Sequence, residues 1–137
     1  MFKLPFLKIL AGFLKSLVWG LFILFICSIP TYKVNRVKIF NIDYFDKLAH
    51  LLLYYIFSII LYVELINYKK VLKKKFKIYL YILPIPLFWG ILIEMMQYHI
   101  LVSRNGSIYD IIANTCGIIL GLFTIIIFRR YFAITKL

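Results

Sequence analysis

The residues able to do chemistry are few and spaced for helices. They are Asp46, Lys47, His50 and Tyr54, then Glu94 and Gln97, then Arg104, Ser107, Asp110 and Asn114. Two carboxyls such as Glu94 and Asp110, with His50 nearby, can divide into an acid and a base when burial and an adjacent cation push their pKa values apart. Arg104 and Lys47, helped by the amides of Asn114 and Gln97, can instead hold a phosphate or a sugar, with the guanidinium as the natural bidentate partner. Asp46, Glu94 and Asp110 would then orient the cations or accept sugar hydroxyls. A divalent ion on His50, Asp46, Glu94 and Asp110 is a variant of the acid/base scheme. No tight ligand spacing of the H-E-x-x-H kind is present, so the expectation is no metal and no cofactor. No Ser or Cys stands in a nucleophile motif. Ser107 falls where a helix N-cap is expected, and Cys27 and Cys116 read as apolar filler.

These side chains are embedded in a chain of 137 residues that is 64% apolar and only 16% charged, with 17 Lys+Arg against 5 Asp+Glu. A soluble domain is about 45–50% apolar and about a quarter charged, which makes a soluble globular enzyme a poor fit. The same numbers exclude a disordered chain, and two distant Cys exclude a disulfide scaffold or zinc module. An integral membrane protein remains. At 1.5 Å rise per residue, about 20 apolar residues cross about 30 Å of hydrocarbon. Four segments qualify, at about 10–29, 48–66, 78–98 and 108–128. The first contains Lys15, close enough to one end to snorkel. It reads as an uncleaved anchor, because no A-x-A-like site follows and Ile26 precedes Cys27. Pro84 and Pro86 remove two ladder donors and predict a kink or a break in the first half of the third helix. The fold expected is therefore an all-α integral membrane four-helix bundle, a single domain over 1–137.

Lys and Arg placement orients the chain. With the N-terminus inside, Lys3, Lys8, Lys15, the Lys69–Lys77 loop, Arg129, Arg130 and Lys136 are cytoplasmic, while Lys33, Arg36, Lys38, Lys47 and Arg104 are outside. Basic residues favour the cytoplasm, so both termini are expected there. The lysine loop then reads as a topology determinant on anionic headgroups, and nucleic acid is not an expected partner. Glu64 reads as a boundary residue beside that loop, and His99 as an interfacial or pocket-rim group.

In this topology the chemically able residues lie within about 10 Å of the outer boundary. Asp46, His50 and Tyr54 share one stripe of the second helix, and Gly90, Glu94 and Gln97 one stripe of the third. Ser107, Asp110, Asn114, Gly117 and Gly121 share one of the fourth. Charges at that depth belong against the bundle or a wet cavity, which implies one polar pocket opening outward. Ala113, Gly117 and Gly121, four apart, form a small-residue seam for close helix packing.

The series Asp46-Lys47-x-x-His50-x-x-x-Tyr54, Glu94-x-x-Gln97 and Arg104-x-x-Ser107-x-x-Asp110-x-x-x-Asn114-x-x-Gly117-x-x-x-Gly121 resembles the VanZ-like family of small bacterial membrane proteins. The resemblance runs from about residue 29 to 128. One departure is that the family commonly has a proline between the Gln and the Arg, where this chain reads Tyr98-His99-Ile100-Leu101-Val102-Ser103. The resemblance implies a plasma-membrane protein of a family named for an accessory factor in resistance to glycopeptide antibiotics, chiefly teicoplanin. It implies no reaction.

Three functions follow as expectations. The first is a non-enzymatic envelope protein whose pocket binds a lipid headgroup, a lipid-linked wall precursor or a lipoglycopeptide. The second is an intramembrane enzyme acting on a lipid headgroup through Glu94, Asp110 and His50. The third is a small transporter or flippase component, disfavoured because no polar path continues to the inner face. Membrane lipids are the expected partners in each, and the number of chains per assembly is left open.

Overall fold

The computed structural model describes residues 10–29, 42–68, 76–99 and 107–134. Five helices follow in order: α1 (Leu14–Cys27), α2 (Ile42–Asn67), α3 (Phe76–Ile82), α4 (Pro84–His99) and α5 (Ile108–Ile134). No strand occurs among the described residues. An all-helical chain is what lipid demands, since a helix satisfies its backbone N–H and C=O groups internally. The lysine loop at 69–75, the segment 30–41 and the loop 100–106 lie outside the described residues.

Three segments are long and apolar enough to cross a membrane, Phe45–Asn67, Ile78–His99 and Ile108–Phe128. Helix α1 is shorter than the 10–29 span expected. It has 14 residues, or about 21 Å of rise, against about 30 Å of hydrocarbon. The chain is also helical at 10–12, but a turn at Phe13 interrupts it, with the Phe13 N–H bonded to the Leu10 carbonyl at 3.2 Å.

The third span is interrupted as well, at Leu83, between α3 and α4. Pro84 is the first residue of α4 and Pro86 the third, positions whose N–H groups have no intrahelical acceptor. The prolines thus start a new helix, which is the break expected as the alternative to a kink in the first half of the span.

Restarting α1 at Leu14 leaves its first amides without intrahelical partners, and Phe13 at the N-cap offers no side-chain hydrogen bond. The carboxylate of Glu64 on α2 takes that place. Its Oε1 accepts from the Lys15 N–H at 2.7 Å, and its Oε2 accepts from the Ser16 N–H at 2.9 Å and from the Ser16 hydroxyl. Glu64 is buried. It is a long-range helix cap and not the boundary residue the sequence suggested.

Two indoles tie α1 into the bundle. Trp19 Nε1 donates to the Leu53 carbonyl of α2 at 3.0 Å, and Trp89 Nε1 of α4 donates to the Gly20 carbonyl at 3.1 Å. Each bonds to the backbone of a neighbouring helix, so each fixes a register as well as an area of contact. Trp89→Phe keeps most of the ring and removes the donor. It should lower stability by about 1 kcal/mol, read as a lower thermal midpoint in detergent, and an unchanged midpoint would show that this bond adds nothing.

Helices α2 and α5 make the closest pair. A Cβ at Gly117 would run into the Leu51 carbonyl oxygen and stand 3.1 Å from the Tyr55 nitrogen. One at Gly121 would meet Ser58 Oγ, with the Tyr55 carbonyl 3.1 Å away. Ala113 is buried on the same face. Around this seam one cluster gathers Ile23, Cys27, Tyr54, Phe57, Ile93 and Ile118, and a second gathers Leu61, Tyr62, Leu65, Ile78, Ile82 and Ile125. Phe25, Phe88, Phe123 and Ile127 point outward, as lipid-facing side chains should.

Candidate functional site

The polar stripes of three helices meet at one end of the bundle. Helix α2 buries His50 and Tyr54, with Asp46 half-buried one turn away, while α4 buries Gly90, Glu94 and Gln97. Asp110 and Asn114 come from the first turns of α5, also buried. Periodicity explains the facing: residues four apart share a helix face, and ionisable groups in apolar helices turn toward protein.

His50 is the hub. Its Nδ1 bonds Asn114 Oδ1 at 3.0 Å, and Glu94 Oε1 stands 3.9 Å from the same nitrogen. The other carboxylate oxygen of Glu94 accepts the Ser107 N–H at 3.0 Å. Ser107 in turn caps α5, its hydroxyl accepting the Tyr109 N–H at 3.2 Å. Glu94 thereby fixes the start of α5, and Asp110 and Asn114 with it.

Gln97 is committed differently from the role expected. Its Nε2 donates to the Cys27 carbonyl at the end of α1, at 2.8 Å, so it joins helices and does not offer that N–H to a ligand. Lys47 lies at the rim, with Nζ 5.9 Å from the centre of the Tyr109 ring, a cation–π placement. Arg104 lies outside the described residues. His99 is exposed, its ring edge-on to Tyr98. Cys27 is buried and Cys116 exposed, and neither is in a disulfide.

Gly90 makes room where two polar groups approach α4. A Cβ there would lie 3.0 Å from Asn114 Nδ2 and 3.2 Å from the Tyr54 hydroxyl. Among the described residues, four buried polar atoms lack a hydrogen-bond partner: His50 Nε2, Tyr54 Oη, Gln97 Oε1 and Asn114 Nδ2. Buried polar atoms are rarely left so, and four at one end of a bundle are what a polar ligand's contacts would complete. One nitrogen of His50 and one oxygen from each of Asp46 and Asp110 also lie within 4.8 Å of one another.

Sequence spacing anticipated which faces carry polar groups. It missed the Cys27 carbonyl, which is backbone, and Tyr109 under Lys47, for which only the aromatic residue two positions after Ser107 was a signal. A family model described as VanZ/LLP1 matches residues 13–129. No curated protein and no solved structure matches the chain.

Proposed function

The chain belongs to the VanZ/LLP1 family, and from that membership and its buried polar end we propose that it is a multi-pass protein of the bacterial plasma membrane that binds a lipid headgroup. In this reading α1 joins the three long spans as the fourth helix of a single-domain bundle. Both termini are cytoplasmic and the polar end faces outward, as the distribution of Lys and Arg favours. The ligand presents phosphate or sugar hydroxyls: a lipid headgroup or a lipid-linked wall precursor would supply phosphate, and a lipoglycopeptide would supply sugars. Lys47 and Arg104 meet the phosphate, and Asp46, Glu94, Asp110 and Asn114 meet hydroxyls. A role in glycopeptide tolerance of the teicoplanin type is the physiological form of this binding.

The observation that carries the reading is the set of four unpartnered buried polar atoms contributed by three helices at one depth. Helix glue alone has no reason to leave donors and acceptors open. A separate apolar cavity of about 670 Å³, lined from Leu10, Phe13 and Leu65 to Phe57 and Trp89, extends toward the other end of the bundle and includes none of the polar cluster.

A second reading, an intramembrane enzyme working on the headgroup, draws on the 3.9 Å approach of Glu94 to His50. One experiment separates the two. A deletion host carrying wild type, Glu94→Gln or Arg104→Ala is compared across a panel of glycopeptides, with a full lipid profile. Binding predicts that Glu94→Gln keeps most activity, because a glutamine oxygen can still accept the Ser107 N–H, whereas Arg104→Ala loses roughly tenfold, the worth of one charge-assisted bond. Activity of Glu94→Gln below a few per cent at normal protein level, with loss of a lipid product, would replace binding by catalysis.

A further inference from the structure

We propose that Asp46, His50 and Asp110 form a site for one divalent metal cation, with Zn²⁺ the best match. The site goes beyond the headgroup reading and does not rest on it. Asp46 and His50 are four apart on α2 and so share a face, while Asp110 reaches them from α5, which the glycine seam brings close. One donor atom from each lies within 4.8 Å of the others.

The protonation of His50 supplies the independent argument. Asn114 Oδ1 is a carbonyl oxygen and can only accept, so the 3.0 Å bond requires the hydrogen on Nδ1. In the neutral ring Nε2 then carries a lone pair. That nitrogen is buried and has no hydrogen-bond partner in the protein, and the residue is 2% exposed. The carboxylate oxygens of Asp46 and Asp110 are acceptors too. A ring nitrogen of His50 lies within 4.8 Å of an oxygen from each aspartate, and a divalent ion would take the Nε2 lone pair that no protein group uses.

Metal-bound histidines almost always donate their second ring N–H to a carbonyl or carboxylate, which sets the tautomer and the ring plane. Asn114 does this for His50, with Glu94 3.9 Å away. One imidazole with two carboxylates suits zinc better than all-oxygen calcium or magnesium sites, or thiolate copper sites. Three protein donors leave a coordination position open. Asp46 is only half-buried, which gives an ion a way in. The sequence offered these three together with Glu94 as a possible ligand set, and the structure brings Asp46, His50 and Asp110 within reach of one another while Glu94 stands on the other side of the ring, near Nδ1.

The test uses the full chain purified in detergent, stripped with a chelator and titrated with ZnCl₂ by calorimetry, with bound zinc counted by mass spectrometry. About one Zn²⁺ per chain is expected. His50→Ala and Asp110→Asn should each weaken binding by at least about tenfold, and Asn114→Ala by about tenfold through lost orientation of the ring. His99→Ala, at the exposed second histidine, should bind as wild type does. Zinc-edge X-ray absorption on wild type needs no variant to fold, and it should show one imidazole among oxygen ligands. Wild type that binds no stoichiometric zinc, binding that survives His50→Ala unchanged, or an edge spectrum without imidazole would each overturn the site.

Discussion

Gly117→Ala should lower the stability of this protein by about 3 kcal/mol, the upper range for forcing atoms into a packed interior. The added methyl would be driven into the Leu51 carbonyl oxygen, with the Leu51 carbon 3.0 Å and the Tyr55 nitrogen 3.1 Å away. All three are backbone atoms of α2, and a helical backbone cannot rotate aside as a side chain can. Relief requires α2 and α5 to separate, which would also pull His50 from Asn114. Gly121→Ala makes a useful contrast, because the first atom its methyl meets is Ser58 Oγ. That hydroxyl can turn, so the loss should be smaller, and a second change, Ser58→Ala, should recover part of it. Cys116→Ala, next in sequence to Gly117 but exposed, should stay within about 0.5 kcal/mol. Unfolding in detergent, with size-exclusion chromatography to follow folded protein, ranks the four. Equal midpoints for Gly117→Ala and Cys116→Ala would mean that the helices are not as close as described.

Glu64→Ala should cost about 3 kcal/mol as well, by a different route. Removing the carboxylate strands the Lys15 and Ser16 N–H groups and the Ser16 hydroxyl. Hydrogen bonds to a charged group contribute about 1.5–3 kcal/mol, and buried donors left unmade carry their full desolvation penalty. Little water reaches this position to replace the lost acceptor. Glu64→Gln should lose roughly half as much, since one oxygen remains while the new NH₂ faces a donor. Ser16→Ala, which deletes one bond of the three, should cost about 1 kcal/mol. The order Glu64→Ala, Glu64→Gln, Ser16→Ala in thermal midpoint checks the assignment, and so does faster proteolysis within the first helix in the alanine variant. A Glu64→Ala protein as stable as wild type would remove the capping role.

These two residues also mark how far the sequence could be read. Gly117 was legible, because Ala113, Gly117 and Gly121 recur at the four-residue spacing of a packing seam and nothing but local periodicity is needed to see it. The same logic placed His50, Glu94, Asp110 and Asn114 on inward faces, where the structure buries them. Glu64 was illegible. Its partner is a helix start that no strong signal marks, since only Gly12 precedes the turn at Phe13, and the pairing spans more than a third of the chain. The same holds for the indoles of Trp19 and Trp89 and for the bond from Gln97 to Cys27, all of which end on backbone carbonyls that carry no residue-specific trace. Pro84 and Pro86 were read correctly as a disturbance. Their placement in the first turn of a new helix depended on where α3 stops, which propensity alone did not set.

The cap on the first helix also bears on how the chain is made. Lys15 and Ser16 precede Glu64 by 49 and 48 residues, so synthesis delivers the amides well before their acceptor. Until the far end of α2 has left the ribosome, α1 has no partner for its opening turn, and Trp89, which holds the Gly20 carbonyl, follows later still. The first helix to be translated is thus secured in two later steps, by α2 through Glu64 and Leu53 and then by α4 through Trp89 and Gln97.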